Sequence, residues 1–360
     1  MKLTFHKKES EFDSKFEVTY RKTVAKRVTF IIICILACFF VAVYSATLGS
    51  YPISAGEVYD IIWHAITGQA QSDATAAHVV IDLRLPRILG AAVCGFGLAV
   101  CGTAMQSMMK NPLADPYTMG ISSGAGFGAA LAIILGFELV AGGGIVFNAF
   151  IFAVIPALVI LFLSKFRKAT PTMMILCGIS LMYLFNAMTQ LFMLIADPED
   201  LSTVYTWMVG SLDGVEFSEL GLILAITFFG SLYVQYMANQ LNVMSIGDDS
   251  AKTLGVNVDK KRLIVLLVIT LIAATIVSFT GIIGFVGLVA PHITRHIIEA
   301  DNKYLIPASA VFGALLLLAS DIVARVIAAP LMLPVGVITA CIGGPLFMFL
   351  ILRNNKEVWS

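Results

Sequence analysis

Two pairs of side chains stand at spacings that could support chemistry. Asp321 and Arg325 lie four residues apart, on one helix face, inside an apolar run. A carboxylate at that depth could relay a proton or a cation, or it could pair with the nearby guanidinium and lower the cost of burying both charges. Asp321 is the one acidic residue placed deep in such a run, so local pairing is the stronger reading. His292 and His296, in PHITRH, are also four apart. Two imidazoles on one face could share a metal, but a stable site needs more ligands, and no carboxylate or cysteine follows at a fitting distance. Packing, or contact with another protein, is the simpler use. The sequence contains no GxxxxGK[ST] loop, no GxSxG and no HExxH. This argues against P-loop nucleotide binding and leaves no catalytic constellation; neither a catalytic residue nor a metal site is expected.

The elements that must hold these residues are apolar and long. Of 360 residues, 59% are hydrophobic and 13% charged, where a soluble domain carries roughly 25% charged residues. Runs that reach the ~20 residues needed to cross a bilayer predict an all-α membrane protein. About ten spans are expected, near residues 28–48, 86–108, 117–137, 145–164, 172–195, 218–238, 262–282, 284–298, 305–326 and 334–352. The eighth is short and holds Gly284, Gly287 and Pro291, so a broken or tilted piece is expected there. Basic residues set the orientation. With both termini in the cytoplasm, all but Arg84, Arg87 and Arg325 of the 23 lysines and arginines fall inside; a nine-span alternative puts six outside, so the positive-inside rule favours ten. Residues 1–27 then form a cytoplasmic tail, too long and too charged to begin a cleaved signal peptide, and residues 28–360 form one membrane domain. The six cysteines sit in apolar segments with no CxxC pair and read as small apolar residues.

Between the spans, residues 52–68 read as an outer-surface helix with Val58, Ile61, Ile62, Ala65 and Ile66 at helical spacing. The acidic loop 196–217 suits a short helix around Trp207, an interfacial anchor. Gly120, Gly124 and Gly128 form a stripe that allows close helix packing. The longest polar interruption of the second half, 239–262, has Asp248 or Asp249 to cap a short helix, Ala251 and Leu254 on one face, and Gly255 to end it. Such a helix between two spans is suited to touching another protein.

Taken in order, several motifs resemble the FecCD permease family. They are RLPR at 84–87, Gln106 with KNPLADP at 110–116, GISSGA at 120–125, WMVGS at 207–211, AKTLG at 251–255, GIIGFVGLVAPHITR at 281–295 and LPVGVITA at 333–340. The resemblance covers residue 50 to the C-terminus. It implies the transmembrane subunit of an ATP-binding-cassette importer in a bacterial inner membrane, carrying a metal chelate: a ferric siderophore first, with haem or cobalamin as alternatives. It implies that this chain is not an enzyme and holds no cofactor, with ATP and Mg on two partner ATPases. It also implies an external binding protein, a second permease subunit (a copy or a paralogue), surrounding lipid and no nucleic acid. Carried over by position, Asp248, Ala251, Lys252, Leu254 and Gly255 form the ATPase-coupling helix. Arg84, Arg87 and Arg325 dock the binding protein. Thr170, Pro171, Thr172, Met173 and Asn186, with Met174, belong to the path and its cytoplasmic gate. Two departures stand out: Met332 replaces a glutamate common in relatives, and the N-terminal 28 residues are longer than the family leads one to expect and take no role from it. An ion-coupled transporter is the rival class, and it has only Asp321, beside Arg325, to couple with.

Overall fold

A computed structural model describes residues 2–49, 51–140 and 144–353, with side chains described over 17–349 within those ranges and for Leu352. Every regular element among the described residues is helical. The first, α1 (Lys2–Thr47), crosses the expected boundary at residue 28 without a break, since residues 2–47 contain no glycine or proline. Helix α2 (Ala55–Thr67) opens on a reciprocal cap: Ser54 Oγ accepts from Glu57 N, and Glu57 Oε2 accepts from Ser54 N. It ends at left-handed Gly68. Val58 and Ile61 of the expected apolar face are buried, whereas Ile66 points outward.

Helix α3 (Ala74–His78) starts on Asp73, which caps two amides, and passes through a wide π turn (Val79–Arg84) into α4 (Leu85–Met109). Next come α5 (Ile121–Leu135), α6 (Gly144–Leu163), α7 (Pro171–Met193), α8 (Pro198–Met208) and α9 (Phe217–Tyr236). They are followed by α10 (Ala238–Ile246), α11 (Asp248–Thr253), α12 (Val258–Thr280), α13 (Val286–Ile298), α14 (Asn302–Val326) and α15 (Val335–Arg353). Seven of the described helical runs are long and apolar enough to cross a membrane: 17–47, 74–109, α6, α7, α9, α12 and α14. Two shorter apolar helices, 121–135 and 335–349, accompany them. Helix α13 has 13 residues, about 20 Å of helix. That is short of the ~30 Å hydrocarbon layer, in line with the expected broken segment. The preceding residues 281–285 are not helical.

Helix α4 is the spine. It is buried on nearly every side, as its apolar character all round requires. Helix α14 runs antiparallel along its whole length. Ser107 Oγ bonds Asn302 Oδ1 at 2.8 Å near one end, and Arg87 Nε meets Asp321 Oδ1 at 2.7 Å near the other. Midway, the Gly95 and Gly313 backbones touch, and a methyl on either would overlap the other's carbonyl. Gly102 stands in the same relation to the Gly287 carbonyl of α13. The Gly120–Gly124–Gly128 stripe also packs helices closely, but on two partners. Gly124 and Gly128 face the α6 carbonyls of Phe152 and Asn148, and Gly120 faces Gly178 of α7. The expected helix around Trp207 exists as α8, yet Trp207 is packed against the core rather than offered as an anchor.

The α4–α13 contact predicts that Gly102→Ala lowers the thermal midpoint of the purified protein in detergent by an amount equivalent to about 1–3 kcal/mol. Gly221→Ala on α9, where a methyl meets nothing within 4 Å, should leave the midpoint unchanged or slightly raised. Equal effects of the two substitutions would contradict the packing.

Candidate functional site

The polar side chains gather at the two ends of α4. At its N-terminal end the π turn and the next helical turn bring Arg84 and Arg87 inward, and antiparallel α14 supplies Asp321 and Arg325. Arg87 Nε meets Asp321 Oδ1 at 2.7 Å, and Arg325 Nη2 meets Asp321 Oδ2 at 2.9 Å. Arg87 Nη1 also pairs with Asp213, whose side chain is 49% exposed, and lies 3.6 Å from Met332 Sδ. Arg325 donates to the Ser45 and Leu48 carbonyls and to Ser45 Oγ. Arg84 donates to the carbonyls of Ala46 and Tyr51, at 2.7 and 2.5 Å.

The three arginines left outside by the charge pattern are therefore brought together, and all three are buried. The i, i+4 pairing of Asp321 and Arg325 holds. Asp82 pairs with His78 at 2.8 Å, and backbone carbonyls take the Arg84 donors. The cluster borders an open cavity of about 800 Å³, whose walls include Arg84, Arg87, Arg325, Asp82, Asp213 and Glu216. Arg87 Nη2 and Arg325 Nε are buried without a protein partner.

At the other end of α4, left-handed Lys110 closes the helix. Its Nζ lies 3.5 Å from Asp248 Oδ1, which Arg262 Nη2 meets at 2.8 Å. Burial alone would raise the Asp248 carboxyl; Arg262 and Lys110 outweigh that and hold it below its usual value, so it is ionised. Asp248 does not cap its helix, contrary to the sequence reading. Gly247, at φ 151°, occupies the cap position and Asp248 is the first helical residue, turned toward Arg262. Nor do Ala251 and Leu254 share a face. Ala251 is buried, whereas Leu254, at the C-cap and outside the helix, is 67% exposed. Lys252 is exposed beside it, and Gly255, at φ 82°, turns the chain toward α12.

Thr170 caps α7 through Met173 N, with Pro171 at the first helical position. Thr172 is exposed and Met173 and Asn186 are half-buried; Met174 is fully buried in the core and does not face outward. The rings of His292 and His296 meet edge to face, Nε2 to Nε2 at 3.3 Å, with Phe347 against His292. Among the described residues no three His, Cys, Asp or Glu converge as metal ligands. Sequence reasoning missed Asp213 and Arg262. The first lies in an irregular loop, and the second reads as one more basic residue of the run 260–262.

A family model described as the FecCD transport family matches residues 34–353. A protein of Methanocaldococcus jannaschii named as an ABC transporter permease is 40% identical over 337 residues, 91% of this chain and 95% of its own length. The hemin transport system permease protein HmuU of Yersinia pestis is 37% identical over 324 residues, 88% and 93% of the two chains. A solved structure described as an inward-facing conformation of a metal-chelate type ABC transporter superposes with a TM-score of 0.80 at 30% identity, covering 91% of this chain and 99% of that one.

Asp321 holds two guanidinium groups with a side chain that is 0% exposed. Asp321→Asn should therefore cost on the order of 3–5 kcal/mol, as loss of one partner of a buried charge cluster does. Asp82→Asn, which breaks a pair more than half exposed, should cost at most ~1 kcal/mol. Denaturation of the two variants in detergent checks the contrast, and similar losses would show the cluster is not organised around Asp321.

Proposed function

Because the chain belongs to the FecCD transport family, we propose that it is the membrane-spanning subunit of an ATP-driven importer for a metal chelate, with ferric siderophores as the first substrate class and haem or cobalamin as alternatives. The observation that carries the reading is the match, in sequence and fold, along nearly the whole of a chain described as a metal-chelate type ABC transporter. In this reading the two shorter apolar helices and α13 complete the crossing of the membrane alongside the seven long helices, in the orientation expected from the charge pattern. In that orientation the arginine cluster faces outward and α11 faces the cytoplasm of a bacterial cell.

The parts take the following roles. Leu254 and Lys252, exposed beside Gly255, seat on a separate ATPase that binds ATP and Mg, while Ala251 and Asp248 hold the helix to the bundle. The outer cavity receives a binding protein, whose carboxylates take over arginine donors such as Arg87 Nη2. The path runs between two permease subunits along α7. Its exposed side carries Thr172, Ser180, Tyr183 and Gln190, neutral groups suited to a chelate whose metal charge is already met by its own ligands. ATP binding moves the coupling helices and exchanges which side of the path is open.

Reconstituted with an ATPase and a binding protein in vesicles, the chain should accumulate a ferric hydroxamate only with ATP. Haem and cobalamin serve as parallel substrates. Leu254→Arg should abolish uptake while the protein still inserts. ATP-independent uptake, or a variant with normal ATPase assembly and uptake, would overturn the reading. A second outcome concerns docking. Asp213→Asn releases Arg87 from a half-exposed partner, a bond worth ~0–1 kcal/mol, and should tighten binding of the partner protein by up to about fivefold. Titration in detergent across a salt series checks it, and weaker binding would mean that Asp213 itself contacts the partner.

A further inference from the structure

One side chain joins the two cytoplasmic parts just assigned separate roles. Arg262 lies in the first turns of α12 with 0% exposure, the largest fully buried side chain of the described residues. Its guanidinium spreads over three segments. Nη2 meets Asp248 Oδ1 of α11 at 2.8 Å, Nη1 donates to the Ala169 carbonyl at 2.8 Å, and Nε donates to the Met108 carbonyl at 3.4 Å. Ala169 immediately precedes Thr170, the cap of α7, and Met108 lies in the last turn of α4. One rigid, planar group therefore ties the surface helix α11 to the residue just before the cap of α7 and references both to the packed spine.

We propose that Arg262 is the positioning residue that carries a displacement of α11 to the start of α7. The mechanics follow from the geometry of the fork. A guanidinium cannot bend, so rotation of Asp248 with α11 turns the whole plane, and the Nη1 bond pulls the 169–170 peptide with it. Lys110 Nζ approaches the same carboxylate oxygen at 3.5 Å and helps to keep it charged. A lysine at 262 would present a point charge on a flexible stem and could not hold all three acceptors in one plane. Arg262 touches neither an ATPase nor a substrate in this arrangement; it acts through what it holds. The inference rests on the transport reading above, with α11 as the coupling helix and α7 as the path helix.

The test uses the assembled complex with the native cysteines replaced and one of two exposed positions, Ser250 on α11 or Leu176 on α7, changed to cysteine. Reactivity toward an aqueous thiol reagent is measured with and without ATP and vanadate. In the parent complex both positions should change reactivity at least threefold. In Arg262→Gln, Ser250 should still respond and Leu176 should not, and uptake should fall at least tenfold while basal ATP hydrolysis stays within twofold. Asp248→Asn, which removes the charge at the other end of the Nη2 bond, should likewise abolish the Leu176 response. An Arg262→Gln complex in which Leu176 still responds and uptake persists overturns the proposal. If Arg262→Gln does not assemble, Arg262→Lys decides: a Leu176 response reduced at least threefold supports it, and an unchanged one overturns it. A parent complex that assembles with its ATPase yet responds at neither position overturns the transport reading, and this inference with it.

Discussion

The last four carbonyls of a helix have no donor within it, and near the hydrocarbon layer there is little water to supply one. In this bundle arginines from other helices supply it. Arg325 bonds the Ser45 and Leu48 carbonyls and Arg84 that of Ala46, all at the end of α1. Arg262 bonds Met108 at the end of α4, and Arg27 bonds Ile298 at the end of α13. A cation at a helix C-terminus also meets the negative end of the helix dipole. The same side chain thus satisfies an orphan acceptor, neutralises a partial charge and fixes one helix end against another. Each of these arginines except Arg84 adds an acidic partner: Asp321 for Arg325, Asp248 for Arg262, and Glu299 and Asp301 for Arg27.

Between its ends the bundle relies on backbone contact instead. Gly95 against Gly313, and Gly102 against Gly287, bring α4 within touching distance of α14 and α13. In lipid no hydrophobic force drives helices together, so close packing at small residues supplies much of the association. Those contacts set the register of α14 on α4, and the register decides that Asp321 arrives beside Arg87. A slip of one turn, about 5.4 Å, would break the Arg87–Asp321 bond and leave Asp321 only Arg325 and Arg87 only the half-exposed Asp213. The glycine contacts and the charged cluster therefore enforce each other.

Features that depend on local spacing were legible in the sequence: the long spans, the short α13, the helix α2, the Asp321–Arg325 pair, the small-residue stripe. Features that depend on which distant segment arrives were not. Arg84 donates to carbonyls at the end of α1 and at Tyr51, and nothing in the RLPR motif names them. Ala251 and Leu254 sit three apart, a helical spacing, yet the helix stops at Thr253 and Leu254 leaves in another direction. Met174 and Met173 are neighbours of the same type, and only the packing of α7 decides that Met174 is the buried one. The role of Arg262 was hidden for the same reason. Its neighbours Lys260 and Lys261 explain its charge well enough that nothing suggests burial.

The burial of α4 and the exposure of α7 carry opposite meanings. Helix α4 is enclosed on all sides, so its few polar groups, such as Gln106 and Ser107, are matched within the chain. Helix α7 leaves most of one side uncovered, and that side mixes Leu176, Ile179 and Leu184 with Ser180, Tyr183 and Gln190. A purely lipid-facing surface has no use for the second set. Ser180 can return its hydroxyl to the Leu176 carbonyl, and it does so at 2.8 Å, but a glutamine amide in hydrocarbon has no such local remedy and costs several kcal/mol if unpaired. The uncovered side of α7 therefore fits a boundary between another protein surface and water better than one with lipid. Its first half is attached through the cap at Thr170, through Met174, which is buried in the core, and through the contact of Gly178 with Thr118 and Met119. Held on that side and open on the other, α7 packs against α5 and α6 rather than against the glycine-locked spine.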